Sequence, residues 1–213
     1  MNTAELIQEI SVKDVDVDEF VHLVIREDHT RDEVIKQLLT NPDIMVYYHC
    51  YYVVDKASQA RPELFYPYWS ELVPLLKHKN SYHRDIALTI IANLTRVDHD
   101  NLFYTIYHDY FEHMNDIKFM TGQCCVRNSR KILRNKPELG NQIISLLLDV
   151  DNQCTYTEKQ KELMKSDVLE ILDEVYKEAI DKEGIDRFIK AGVNSISPKT
   201  RHKAKELVEK YGL

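Results

Sequence analysis

Glycine and proline are scarce in this chain, at five and six residues in 213, and tryptophan occurs once. So few turn-formers exclude a turn-rich β architecture. The plentiful Leu, Ile, Val, Tyr, Glu and Lys exclude a disordered chain, leaving a helical domain long enough to bury a substantial core. No run of about 18 apolar residues occurs, so no membrane-spanning helix is expected. No opening stretch joins a basic end to an apolar segment and a cleavage site, so a cytoplasmic location is expected. Basic charge is also short: 28 Lys and Arg against 35 Asp and Glu leave a formal charge of −7. A dedicated nucleic-acid binder normally shows the opposite balance. Cys50, Cys124, Cys125 and Cys154 form no CxxC pair, zinc ribbon or disulfide framework, and read as small buried hydrophobes in a reducing compartment.

Catalytic signatures are equally thin. There is no GxGxxG, Walker loop or nucleophile elbow, and His108 and His113 are five apart where the HExxH metal motif needs four. Asp109 and His113 share a helix face and read as a surface ion pair, while Asp98-His99-Asp100 reads as a turn between helices. No catalytic residue, cofactor site or metal ligand is assigned.

Helix signals, in contrast, recur along the chain. Thr30-Arg31-Asp32-Glu33 has the form of a capping box, and Thr157 to Gln160 repeats it. Pro42, Pro62, Pro137 and Pro198 sit where helices would begin, with Asn41 and Ser197 as caps. Apolar residues recur at three and four: Val34, Leu38, Leu39; Ala87, Ile90, Ile91, Leu94; Phe103, Ile106, Tyr107, Tyr110, Met114. The Tyr47 to Val54 stretch has strand-like composition but is apolar nearly all round, which predicts a central, mostly buried helix. Pro67 and Pro74 inside the segment 63–77 predict a bent or split helix.

A repeat follows. Leu64-Phe65-Tyr66 returns as Leu102-Phe103-Tyr104 after 38 residues, and Pro62-Glu63-Leu64 as Pro137-Glu138-Leu139 after 75. A period near 38 predicts paired helices stacking on their neighbours. The run from Phe65 to Val97 resembles the HEAT family: Pro67, then Leu72-Val73-Pro74-Leu75-Leu76, a polar turn at His78 to Ser81, then Arg84, Ala87, Ile91, Ala92 and Leu94. Val34 to Ala57 repeats the pattern with Asn41-Pro42-Asp43 as its turn, whereas Arg84 has no counterpart near Thr121. The resemblance implies an all-α, right-handed α-α superhelix. It predicts hairpins pairing 31–40 with 43–59, 62–77 with 80–96, 99–113 with 115–135 and 137–148 with 158–181. The chain then reads as one solenoid domain, with a cap at 1–29, repeats at 30–181 and closing helices at 182–213.

One stretch departs from the acidic average. Residues 117–136 hold Lys118, Arg127, Arg130, Lys131, Arg134 and Lys136 with no acidic residue. Aligning this helix with its predecessor places Cys125, Ser129 and Ile132 in the core and turns Gln123, Arg127, Arg130 and Arg134 outward. The HEAT resemblance implies that second helices line a concave face. The same projection puts Tyr48, Tyr52, Asp85, Thr89 and Arg96 there. Three functional classes fit this face. The first is a scaffold binding a protein or an acidic or phosphorylated peptide, with arginines on the anion and tyrosines as rigid anchors. The second is similar to the HEAT-like alkylpurine DNA glycosylases, with the 118–136 stripe on nucleic acid and Asp85 beside Tyr48 or Tyr52; the single Trp69 fits that class poorly. The third is a structural subunit that stacks on another protein; the oligomeric state is left open.

Overall fold

The computed structural model describes residues 3–213. Among the described residues there are thirteen α-helices and no strand. In chain order they are α1 (Thr3–Ile10), α2 (Val17–Arg26), α3 (Asp28–Thr40), α4 (Ile44–Ala60), α5 (Trp69–Leu72), α6 (Ser81–Leu94) and α7 (Leu102–Phe111). They continue as α8 (Phe119–Asn135), α9 (Gly140–Leu148), α10 (Val150–Gln153), α11 (Glu158–Val175), α12 (Lys182–Gly192) and α13 (Pro198–Tyr211).

Local chemistry sets most helix starts. The Asp43 carboxylate accepts the Met45 amide at 2.8 Å to open α4, and Asn80 accepts Tyr82 N at 3.0 Å to open α6. The Thr157–Gln160 box opens α11, and Ser197 with Pro198 at the first helical position opens α13. Pro67 and Pro74 split the segment after Pro62 into 3₁₀ turns around the short α5. Two expectations fail. Thr30 lies inside α3, which starts at Asp28 immediately after α2, and its hydroxyl donates to Glu27 instead of capping. Pro42 precedes α4 and Asn41 ends α3, leaving the cap to Asp43. Helix α3 also straddles the boundary expected between cap and repeats at 29/30.

Second helices begin at 44, 81, 119, 158 and 198, and each packs on the next: α4 on α6, α6 on α8, α8 on α11, α11 on α13. The first two helices both pack on α4, and α2 also packs on α3. Apolar residues facing this stack are closed to water, among them Val53, Val54 and Ala57 of α4, Ala87, Ile91 and Leu94 of α6, and Cys125 and Ile132 of α8. Burying side chains of this size contributes about 1.5–3 kcal/mol each for the larger ones.

Polar side chains one repeat apart meet across the row. Asn93 donates to Asp55 at 2.8 Å and accepts from Lys131 Nζ at 2.7 Å, each partner 38 residues away. Helix α8 is then pinned at both ends by buried ion pairs. At its start Arg84 Nε and Nη2 grip Asp116 at 2.7 Å each, while His113 and the Lys118 amide bond the same carboxylate at 2.9 and 2.8 Å. At its end Lys136 Nζ reaches the Asp98 carbonyl at 2.8 Å and its carboxylate at 3.1 Å, and Asp98 caps α7 through the amides of Leu102 and Phe103.

The next rung of an arginine ladder is missing for a steric reason. Gly122 stands 38 residues after Arg84, and a Cβ there would meet the Tyr156 hydroxyl and the Met114 carbonyl at 2.9 Å. Tyr156, from the following repeat, fills that space and donates to the Asp116 carbonyl at 2.6 Å.

Burial works against the Asp116 charge, but Arg84, the Lys118 amide and His113 outweigh it and hold the carboxyl below the usual range. A depressed carboxylate contributes stability above its unfolded pKa and loses it as pH falls through the folded value. Replacing Asp116 with Ala strands a buried guanidinium, and is expected to cost about 3–5 kcal/mol in urea unfolding at neutral pH, shrinking in acid. An Arg84→Met, Asp116→Leu double variant should recover most of that loss; if it does not, the pair is not what the site needs.

Candidate functional site

The second-helix wall of α4, α6 and α8 carries two clefts. At the start of these helices Tyr48, Tyr51, Tyr82, Asp85, Met120, Cys124 and Arg127 surround a hollow of about 210 Å³. Its rings meet edge to face: Tyr48 lies 5.1 Å from Tyr52 and 5.7 Å from Tyr82, at 89° and 90°. At the far end of the same helices Gln59, Asn93, Arg96, Lys131, Arg134 and Asn135 surround a second hollow of about 220 Å³. Larger hollows, of about 410 and 500 Å³, lie on the opposite side, the first between α7 and α9 and the second between α9 and α12.

The structure separates the predicted residues into three groups. Tyr48, Tyr52, Asp85 and Arg127 come together at the tyrosine cleft, and Arg96 and Arg134 at the other. Thr89 and Gln123, expected to face outward, are buried at 7% and 3% exposure. The Thr89 hydroxyl accepts from Asn128 at 3.2 Å, and Gln123 donates to Asp167 at 2.9 Å, so both act between repeats. The arginine row does face outward, but it is matched. Arg127 lies 3.2 Å from Asp167, Arg130 3.4 and 3.0 Å from Glu170 and Glu174, and Arg134 2.6 Å from Glu174. Lys199 of α13 approaches Asp167 and Glu170 from the other side at 3.3 and 3.4 Å. The wall therefore alternates basic α8, acidic α11 and basic α13.

Lys131, read in the sequence as part of the basic stretch but not among the outward-facing residues, lines the second cleft with its ammonium against Asn93 and, at 3.9 Å, Asp55. Burial lowers its pKa, with Asp55 opposing. Asp109 pairs with Lys77 at 2.7 Å and not with His113, which bonds Asp116. Trp69 is buried away from the wall beside Tyr66.

Helical hairpins whose second helices pack in one continuous row define an α-solenoid. The chain belongs to the HEAT repeat domain family, whose model matches residues 2–165. HEAT repeats generally serve as protein-interaction scaffolds, and the family is typically non-catalytic. No curated protein and no solved structure matches the chain. Among the described residues no helix is long and apolar enough to cross a membrane, and no cluster of His, Cys, Asp or Glu is arranged to hold a metal ion.

Among the residues lining the tyrosine cleft, Asp85 has a buried side-chain oxygen left unpaired. Its Oδ1 is shielded from water without a hydrogen-bond partner. Burial pushes its carboxyl above the ordinary range; the Thr121 hydroxyl opposes the shift and Asp116 adds to it. A raised carboxyl pKa means the ionised form destabilises the fold above the unfolded pKa, and that this penalty fades as pH falls. Asp85→Asn is therefore expected to raise Tm by about 2–4 °C at neutral pH and to lose that advantage in acid, as read by differential scanning calorimetry. A lower Tm at neutral pH would show that the carboxylate is held by the fold and not tolerated by it.

Proposed function

We propose that this chain is a non-catalytic scaffold that docks an extended segment of a partner protein on the wall of α4, α6 and α8. The supporting observation is the set of apolar groups left in water there: Tyr52, Tyr82 and Met120 are 43%, 46% and 63% exposed. Tyrosine offers a large, rigid contact area at small entropic cost, which is why it recurs in binding surfaces. Arg127 and Arg134, bordering the two clefts, favour an acidic or phosphorylated segment. Their pairing with α11 means a partner's anion competes with or joins an existing ion pair and does not meet a bare cation. Cytoplasmic residence belongs to the same reading, supported by four unpaired thiols.

A second reading has one observation in its favour. Tyr48 and Asp85 line one cleft, which is the aromatic-plus-carboxylate pairing a base-modifying DNA enzyme needs. Against it, the acidic row of α11 takes up the α8 charges that would hold phosphates.

A peptide library displayed on phage and selected against the whole chain separates the two. Selected peptides should bind wild type and weaken by about tenfold or more in a Tyr52→Ala, Tyr82→Ala variant whose circular dichroism is unchanged. Peptide binding indifferent to that variant would remove the wall as the docking surface. Tight binding of duplex DNA that collapses steeply with added salt would favour the enzyme reading instead.

A further inference from the structure

The two clefts are lined from the same three helices, and their separation is set by those helices. Asp85 lies beside the first and Arg96 beside the second, both on the α6 column. On α4 the corresponding span runs from Tyr51 to Gln59, and on α8 from Cys124 to Lys131 and Arg134. Bonds between like positions hold the columns in register, with Thr89 to Asn128 and Asn93 to Lys131 one repeat apart. At 1.5 Å of rise per residue all three spans come to about 11–16 Å. An extended chain covers that distance in about three to five residues.

The second cleft is chemically an anion site. Its lining holds three cations and three carboxamides and no carboxylate. Among the described residues Arg96 forms no ion pair within 4 Å; its Nη1 donates to the Gln59 carbonyl at 3.2 Å, and the Glu63 carboxylate, already bonded to Arg61, feels its charge from farther away. Arg134 spends Nη2 on Glu174, and Lys131 is held in place by Asn93. Asp55, the nearest carboxylate to Lys131, already accepts from Asn93 and Gln59 at 2.8 Å each and stays out of the lining.

Building on the peptide-docking reading, we infer that the groove measures two features of one extended partner segment. An apolar side chain enters between Tyr48, Tyr82 and Met120, and a carboxylate or phosphate about three to five residues away meets Arg96, Lys131 and Arg134. The tyrosine cleft supplies affinity, and the spacing supplies selection.

Two measurements on the whole chain test this. Titration with inorganic phosphate, followed by amide NMR, should give saturable shifts at Asn93, Arg96, Lys131 and Asn135, with half-saturation raised about tenfold in Arg96→Ala. Arg96 is exposed and its hydrogen bond to the Gln59 carbonyl lies at the surface, so that variant leaves the fold intact. Next, synthetic Gly/Ser peptides carrying one leucine and one phosphoserine, spaced by about two to eight residues, should bind best at about three to five. Replacing phosphoserine by glutamate in the best peptide tells phosphate from carboxylate recognition. Absence of phosphate shifts at those amides overturns the anion site, yet leaves the docking wall standing if selected peptides still depend on Tyr52 and Tyr82. Phosphate binding with affinity indifferent to spacing overturns the two-point measurement. Duplex DNA shifting the same amides more strongly than any peptide overturns the partner assignment.

Discussion

A guanidinium that is 7% exposed must find its counter-charge within reach, and Arg84 finds it on the neighbouring hairpin, in Asp116. That requirement fixes how far apart consecutive hairpins sit and how they are turned. Once α6 and the turn before α8 are locked by two parallel bonds, the positions along both helices come into register, and Thr89 faces Asn128 as Asn93 faces Lys131. Asp98 and Lys136 repeat the constraint at the other end, so α8 has no freedom to slide. Where the ladder would continue, Gly122 yields its place to Tyr156, and a hydroxyl on the Asp116 carbonyl replaces the missing salt bridge.

The groove's chemistry follows from this registration. Because like positions meet at a constant step, a side chain on one helix is completed by another one repeat later, and neither half is recognisable alone. The second cleft draws Arg96 from one repeat, Lys131 and Arg134 from the next and Gln59 from the one before. The tyrosine cleft is assembled in the same way from α4, α6 and α8. Stacking also determines what stays wet. Tyr52, Tyr82 and Met120 lie on the side of their helices that no first helix covers.

Much of this was legible in residue order. The recurrence of Leu-Phe-Tyr at 38, the three-and-four spacing of Ala87, Ile91 and Leu94, and the proline positions gave the hairpins and their buried sides. The Thr30 box misled because its signature is local, while α3 begins earlier, where the chain turns at Glu27. Periodicity could turn Arg127, Arg130 and Arg134 outward but could not say what stood opposite. Advancing each by 40 lands on Asp167, Glu170 and Glu174, so comparing charges at the repeat step, and not only within one helix, would have revealed the matched rows. Gln123 escaped because its partner, Asp167, lies 44 residues on, off that step.

The rungs differ in kind along the array. Between α6 and α8 they are dry: Arg84 with Asp116 and Lys136 with Asp98 are nearly closed to solvent. Between α8 and α11 the arginines Arg127 and Arg134 are more than half exposed; Arg127 meets a buried Asp167, while Arg134–Glu174 is a surface pair, weak and screened by salt. Added salt therefore bears on the exposed Arg134–Glu174 rung between α8 and α11 and leaves the closed Arg84–Asp116 and Lys136–Asp98 rungs, which hold the two clefts in register, nearly untouched.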